Sequence, residues 1–528
     1  MKKFFLKAMA AVLGLSVALA ASGCNTGTSG AGNQAVDKSK SQLAIGVYDG
    51  GLGTDWTRAV ATEFERKYAD TSFEEGKLGV QVMIYGKGQK ASYEPSVLIP
   101  NVQNRIATED VYLTASSLLY QFVNAGICED ITDALTEKVY AADGDLAVDG
   151  ETKQLSVLDK MDDYFVEAYE SSDGKYYAFP FEDSTFGIVY GADLFAKKNW
   201  AVPQTMTEFY ELLDKMVKSN VTPFTWTGTN DFYFTPITTT IVAQYEGVEG
   251  ANQNLFYNGN YEGMPITEEN AYLLANQQGK LEALKFLRNI TSNTRYYSNL
   301  AFGGSQGHLD AQAEYILSVQ KATNGGGNRI AMILEGEWWE NEARATFNEM
   351  GSIDSDLAYG KRNFKFMPMP SIEGQKSDKH VITSFSNGSV AFVNKNSTNK
   401  ELAKLWIQFM HQNSSLATFT TYTGSVLPYS YTLTDEQYNS MTPFAQSVWD
   451  VRHDENTVIY RTSNTCDFYR YGDLKMGGTG EEIKQNSNTI SALRTFYSNP
   501  SLTAEQYFQD SINYYSSNWA ASYNKYKG

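Results

Sequence analysis

Apolar residues along the chain follow two rhythms: short unbroken runs, and longer stretches in which they recur three or four positions apart. The runs LAIGVY (Leu43 to Tyr48), VQVMIY (Val80 to Tyr85) and DVYLT (Asp110 to Thr114) read as strands. Between the first two, Trp56, Val60 and Phe64 recur at spacing four and give one apolar face to a helix from about Asp55 to Tyr68. After the third, Ala115-Ser116-Ser117 can cap the helix SLLYQFVNAG. This alternation predicts an α/β fold with mainly parallel sheets. Loops at the carboxyl ends of its strands, among them Asp49 and Thr114 to Ser116, then face one crevice, where open α/β sheets take their ligands.

The stretch Asn328 to Ala343, NRIAMILEGEWWENEA, concentrates the same features. Ile330 to Leu334 is short and β-leaning enough for a strand buried on both faces. Glu335-Gly336-Glu337 breaks the run and puts Trp338 and Trp339 where the sheet ends and a helix begins. An indole at that edge offers a flat apolar face and one polar donor, although large aromatics are also common core residues. TPFTWTGTNDFYF, Thr222 to Phe234, adds Trp226 and Tyr233 as further walls.

The start of the chain changes the setting. Three lysines and no acid in MKKFFLK, an apolar stretch from Ala8 to Ala21 and then ASGC read as an export signal. Asn25 to Gln42 is small and polar with no apolar period, which reads as a flexible tether. Removing residues 1–23 takes away three lysines and moves the formal charge from −18 to −21, which argues against nucleic acid and anionic lipid surfaces as partners. A body of residues 43–528 exceeds one ordinary hydrophobic core and predicts two lobes or more. Cys128, in NAGICEDI, reads as a small core residue, and two cysteines beyond Cys24 make no disulfide framework.

Negative readings narrow the chemistry. The four histidines are scattered without metal-ligand spacing, so no metal or cofactor is expected. GGGN at 325–328 precedes a strand and lacks the Gly-Lys-Ser/Thr of a phosphate loop. DGDLAVDGE, Asp143 to Glu151, fits a calcium loop poorly. Glu335 and Glu337 could be imagined as the two carboxylates of a glycoside hydrolase, but an open α/β sheet is not where that pair usually works. No catalytic residue is assigned.

Several motifs in their order carry a resemblance. Cys24 after Ala-Ser-Gly resembles the lipobox of bacterial lipoproteins, which implies a diacylglycerol anchor on its thiol. DGKYYAFPFEDSTFGIVYGADLFAKKNW (Asp173 to Trp200), VPQTMTEFYELLDKM (Val202 to Met216), His308-x-x-Ala311-Gln312 before RIAMILEGEWWENE, FMPMPS, SFSNGSVAFVNKNSTNKELAKLWIQFM and TYTGSVLPYS follow one another. That series is similar to extracellular solute-binding proteins of family 1, the carbohydrate receptors of ABC importers, and the likeness covers most of residues 43–520. Met206 stands where the family usually has a Trp, and ATNGGGN is an insertion relative to those relatives.

The resemblance implies a periplasmic-binding-protein-like fold, in which two α/β lobes joined by a multi-crossover hinge close on a sugar. Expected lobes are roughly 43–150 with part of 330–400, and 190–330 with part of 400–528. It implies a monomer that takes a carbohydrate, an oligosaccharide, and hands it to an ABC permease from the outer face of the membrane. Trp338 is the expected stacking platform, with Glu335 or Glu337 accepting from hydroxyls. Glu182, Asp183 and Asn387 stand where the family often places polar contacts, and Asp49, Thr114 and Ser116 face the same crevice. The alternatives are a peptide-binding lipoprotein of the same transport class, which would hold an extended backbone along a strand edge, and a surface glycan adhesin.

Overall fold

The computed structural model describes residues 35–87, 90–140, 154–256, 260–261, 264–265, 267–384, 388–461 and 491–527. Cys24, Asn387, Cys466, the acidic Asp143 to Glu151 loop and the export segment lie outside them.

Along the chain come β1 (Ser41–Tyr48), α1 (Asp55–Lys67), β2 (Val80–Lys87), β3 (Val111–Leu113), β4 (Phe179–Glu182) and β5 (Thr185–Gly191). Then follow α2 (Met206–Lys218), β6 (Val221–Thr225), α3 (His308–Thr323), β7 (Arg329–Gly336), β8 (Phe364–Met367), β9 (His380–Ser384) and β10 (Ser389–Val393). The later elements used below are α4 (Lys400–Met410), α5 (Asn413–Thr423), α6 (Pro443–His453) and β11 (Thr457–Tyr460).

Local chemistry accounts for these elements. In α1, Trp56, Val60 and Phe64 are buried, Asp55 lies in the first turn and Arg66 and Lys67 in the last, each charge matching the helix dipole. Thr205 and Glu208 form a reciprocal capping box that starts α2, which buries Phe209, Leu212, Leu213, Met216 and Val217. From Ile330 onward every residue of β7 is buried, as expected of a strand covered on both faces.

The strands form two mixed sheets. One has the order β2-β1-β3-β10-β4, the other β11-β9-β5-β7-β6 with β8 also paired to β5. Parallel pairing holds for β1 with β2 and β3, β7 with β6 and β9 with β11. β5 and β10 run against their neighbours. The cause is how the chain enters them. β4 passes to β5 through Asp183 and Ser184 alone, and β9 ends at Ser384 while β10 begins at Ser389, a separation too short for a crossover helix, so each new strand starts at the edge facing the other sheet and runs back. A third passage joins α5, which packs on α1 through Phe419 and Trp56 (5.0 Å between centroids), to α6, whose Ser447 accepts from Phe366 of β8 at 3.0 Å.

This topology divides the segments 330–400 and 400–528, each of which was expected to join a lobe only in part. Residues 329–384 build the second sheet, whereas residues 400–423 cover the first, where Phe64 of α1 meets Trp406 and Phe409 at 5.3 and 5.2 Å. Sequence order cannot show which sheet an apolar segment rejoins after a crossing. Cys128 is buried, and burial pushes its thiol up.

Candidate functional site

The carboxyl ends of β1, β3 and β4 meet the amino end of β5 and the carboxyl ends of β7 and β9 along one seam between the sheets. Trp338 sits in that seam. Its six-membered ring lies over Gly336, where an added Cβ would be 2.3 Å from Cη2, and its five-membered ring lies against Gly51, where a Cβ would be 2.3 Å from Cδ1. Gly336 belongs to the second half and Gly51 to the loop after β1 in the first, so both glycines are required by the close approach of one indole. The Asn341 side chain donates to the Gly51 carbonyl at 2.8 Å and ties the same two halves. Trp338 is 9 % exposed, and Phe186 and Tyr233 extend the aromatic wall at 6.2 and 5.3 Å between successive centroids.

Tyr48, at the end of β1, stands edge-on to Tyr93 at 6.3 Å. Burial pushes its hydroxyl up to about 12, with Glu182, Glu342 and Asp49 adding to the effect. Tyr233 is raised by burial and then by Glu335 and Glu342. The two halves thus bring tyrosines and carboxylates into one electrostatic neighbourhood. Glu335 is 1 % exposed. It accepts from the Gln312 amide at 3.0 Å, and Gln312 also donates to Glu342 at 2.8 Å. Burial, and after it Glu342, pushes the Glu335 carboxyl well above the usual carboxylate range.

A second cluster holds the passages between halves. Asp183, in the β4 to β5 crossing, receives Arg461 at 3.0 and 2.7 Å, Arg452 at 3.1 Å and Ser384 at 2.6 Å. Arg452 of α6 also donates to the Asp183 carbonyl at 2.6 Å and to Glu337 at 3.0 Å. Glu337 further accepts from the Thr185 amide and hydroxyl at 2.8 and 2.5 Å and from the Val426 amide at 3.2 Å. Asp183 and Val426 lie in two of the passages, and Ser384 is the last residue of β9, at the entry to the third. Burial alone would raise the Asp183 carboxyl, but Arg461 and Arg452 outweigh it and hold it below its ordinary value.

The sequence candidates therefore separate by surroundings. Trp338, Glu335, Tyr233, Glu182 and Asp49 come together at the seam, with Glu182 accepting from Ser389 at 2.9 Å. Glu337 and Asp183 do not face it as free acceptors, because arginines and local donors engage their buried carboxylates. Trp226 is not a wall: at 1 % exposure it packs among Phe234, Tyr297 and Phe302 at 5.1 to 5.5 Å. Thr114 donates to the Val390 carbonyl at 2.8 Å, and Ser116 accepts from the Leu118 amide at 3.3 Å, so both shape the turn after β3. Asn387 lies outside the described residues. Sequence reasoning missed Tyr48, Gly51, Asn341 and Glu342 as members of the seam, although it placed Asp49, in the same loop as Gly51, at the crevice. Among the described residues no group of three or more His, Cys, Asp or Glu side chains is placed to hold a metal ion.

The model of the bacterial extracellular solute-binding protein family matches residues 71–443. The chain belongs to that family. Solved structures with the same fold include the apo form of RafE from Streptococcus pneumoniae, at 14 % identity and TM-score 0.55, covering 92 % of this chain and 99 % of that one. A probable secreted solute-binding lipoprotein from Streptomyces coelicolor matches at 11 % identity and TM-score 0.56, covering 91 % and 99 %. A chitin oligosaccharide binding protein matches at 13 % identity and TM-score 0.55, covering 93 % and 100 %. A comparison with curated proteins gave no match. The family and these neighbours are binding proteins, and the family is extracellular. No helix among the described residues is long and apolar enough to cross a membrane.

Proposed function

We propose that this chain is a lipid-anchored receptor, tethered through Cys24, that takes an oligosaccharide between its two halves and presents it to an ABC permease. The observation that carries this reading is the position of Trp338, wedged between Gly336 of one half and Gly51 of the other. When the halves part, the Gly51 loop withdraws and frees an indole face for the C–H face of a sugar ring. Glu335, Glu342, Glu182 and the Tyr48 and Tyr233 hydroxyls supply the polar rim that sugar hydroxyls need. Similarity to RafE, solved in a raffinose complex, and to the chitin oligosaccharide binding protein favours a sugar of several units.

Closure follows as ligand-dependent stabilisation of the arrangement in which both walls touch the sugar, and the permease recognises that form. The charge cluster at Asp183 keeps the three passages in register while the halves move. No side chain is assigned a catalytic role, and the receptor acts as a monomer. Calorimetric titration of the mature protein against oligosaccharides and peptides tests the reading. Saturable heat with an oligosaccharide supports it, whereas a peptide response without any sugar response overturns it.

A further inference from the structure

Glu335 and Glu342 lie on either side of one amide nitrogen, that of Gln312, at 3.0 and 2.8 Å. No lysine or arginine among the described residues forms an ion pair with either carboxylate, and the His308 ring lies 3.6 Å from Glu342. The Gln312 side chain is 1 % exposed, and its amide oxygen, on the same carbon as the donating nitrogen, is buried without a hydrogen-bond partner. That oxygen is an acceptor with nothing to accept from. The cluster therefore has acceptors on two carboxyl groups and an amide, against the two N–H groups of Gln312 and the Gly336 amide, which donates to Glu335 at 3.3 Å, and no lysine or arginine charge among the described residues. His308 and Gln312 are the two polar positions of the His-x-x-Ala-Gln motif, which the sugar platform itself does not use.

A sugar hydroxyl brings one proton and no charge, and leaves most of this deficit in place. An ammonium group brings three N–H donors, no acceptor and one positive charge. Buried carboxylates are stable when a cation is paired and hydrogen-bonded to them. We propose that Glu335, Glu342 and the Gln312 amide oxygen form a subsite for a protonated amine on the ligand, so that the receptor selects an oligosaccharide bearing a free amino group. The Tyr233 ring beside the cluster suits a cation as well as a sugar face. This inference rests on the carbohydrate reading above and narrows its substrate class.

The test titrates the mature protein with β-1,4-linked glucosamine oligomers, the same oligomers fully N-acetylated, and neutral oligosaccharides of equal length. Runs at low and raised salt separate a specific contact from attraction to an acidic protein. The amine-bearing oligomer is expected to bind about tenfold or more tighter than its acetylated counterpart at both salt levels. Glu335→Gln is expected to abolish the tenfold preference for the amine-bearing oligomer over its acetylated counterpart, whatever it does to sugar affinity as a whole. Glu342→Gln, whose side chain is partly exposed, provides a second variant should the first fail to fold. Binding of acetylated or neutral oligomers with no amine preference, or a preference that survives both variants, overturns this inference and leaves the carbohydrate reading standing. Calcium stabilisation without amine preference overturns it too, and the absence of any sugar response overturns both.

Discussion

Replacing Arg452 by methionine removes the one side chain among the described residues that joins Asp183 to Glu337. Both carboxylates are fully buried, and Arg452 is itself nearly so. Asp183 keeps the two-pronged contact from Arg461, but Glu337 is left with only neutral donors from Thr185 and Val426. Breaking a buried pair from one side costs about 3 to 5 kcal/mol, because a charge remains without its partner. For a lobe of this size that corresponds to a fall of about 10 °C in Tm. Urea and thermal unfolding at pH 7 read the loss, and the double variant Arg452→Met, Glu337→Gln is expected to recover part of it, since no charge is then orphaned. The gap to the native protein narrows in acid. The depressed Asp183 carboxyl contributes stability above its ordinary value of 3.8 and loses it as pH falls through its folded value. A single variant that loses under about 1 kcal/mol, the scale of an exposed ion pair, would refute the argument, as would a double variant that loses the sum of its parts.

Other consequences are equally open to measurement. Gly51→Ala places a methyl 2.3 Å from Trp338 Cδ1, so the loop must withdraw. Ligand-free scattering is expected to show a larger radius of gyration and calorimetry an affinity loss of about 1 to 3 kcal/mol, whereas unchanged values would mean that this contact does not hold the halves together. Glu340, beside Thr442, is pushed by burial up to about 7 from 4.5. The folded chain therefore holds that proton more tightly, an advantage that is full below pH 4.5 and gone once pH rises past 7. Glu340→Gln is expected to match the native protein near pH 4.5 and exceed it by about 3 kcal/mol at pH 8 in denaturation curves. A constant difference across that range would count against the assigned cause.

What the sequence disclosed depended on how local each signal was. Trp56, Val60 and Phe64 predicted the buried face of α1, and the unbroken run before Glu335 predicted β7, because periodicity and continuous burial are properties of neighbouring residues. The strand-end position of Trp338 was legible for the same reason. Glu335 and Glu337, two positions apart, looked alike, yet one faces Gln312 and the other meets an arginine far down the chain. Trp226 and Trp338 also looked alike. The return of Tyr297 and Phe302 beside β6, together with Phe234, makes the first a core residue. Strand direction in β5 and β10 was hidden because a crossing of a few residues carries no helix pattern to mark it.

Calorimetric titration of an oligosaccharide into the native receptor and its Trp338→Ala variant, with Tm recorded for each, bears most directly on the proposal that one indole between two halves carries the sugar. The account predicts affinity weaker by about 1 to 3 kcal/mol with the melting transition little changed. Equal affinity in the two proteins would contradict it.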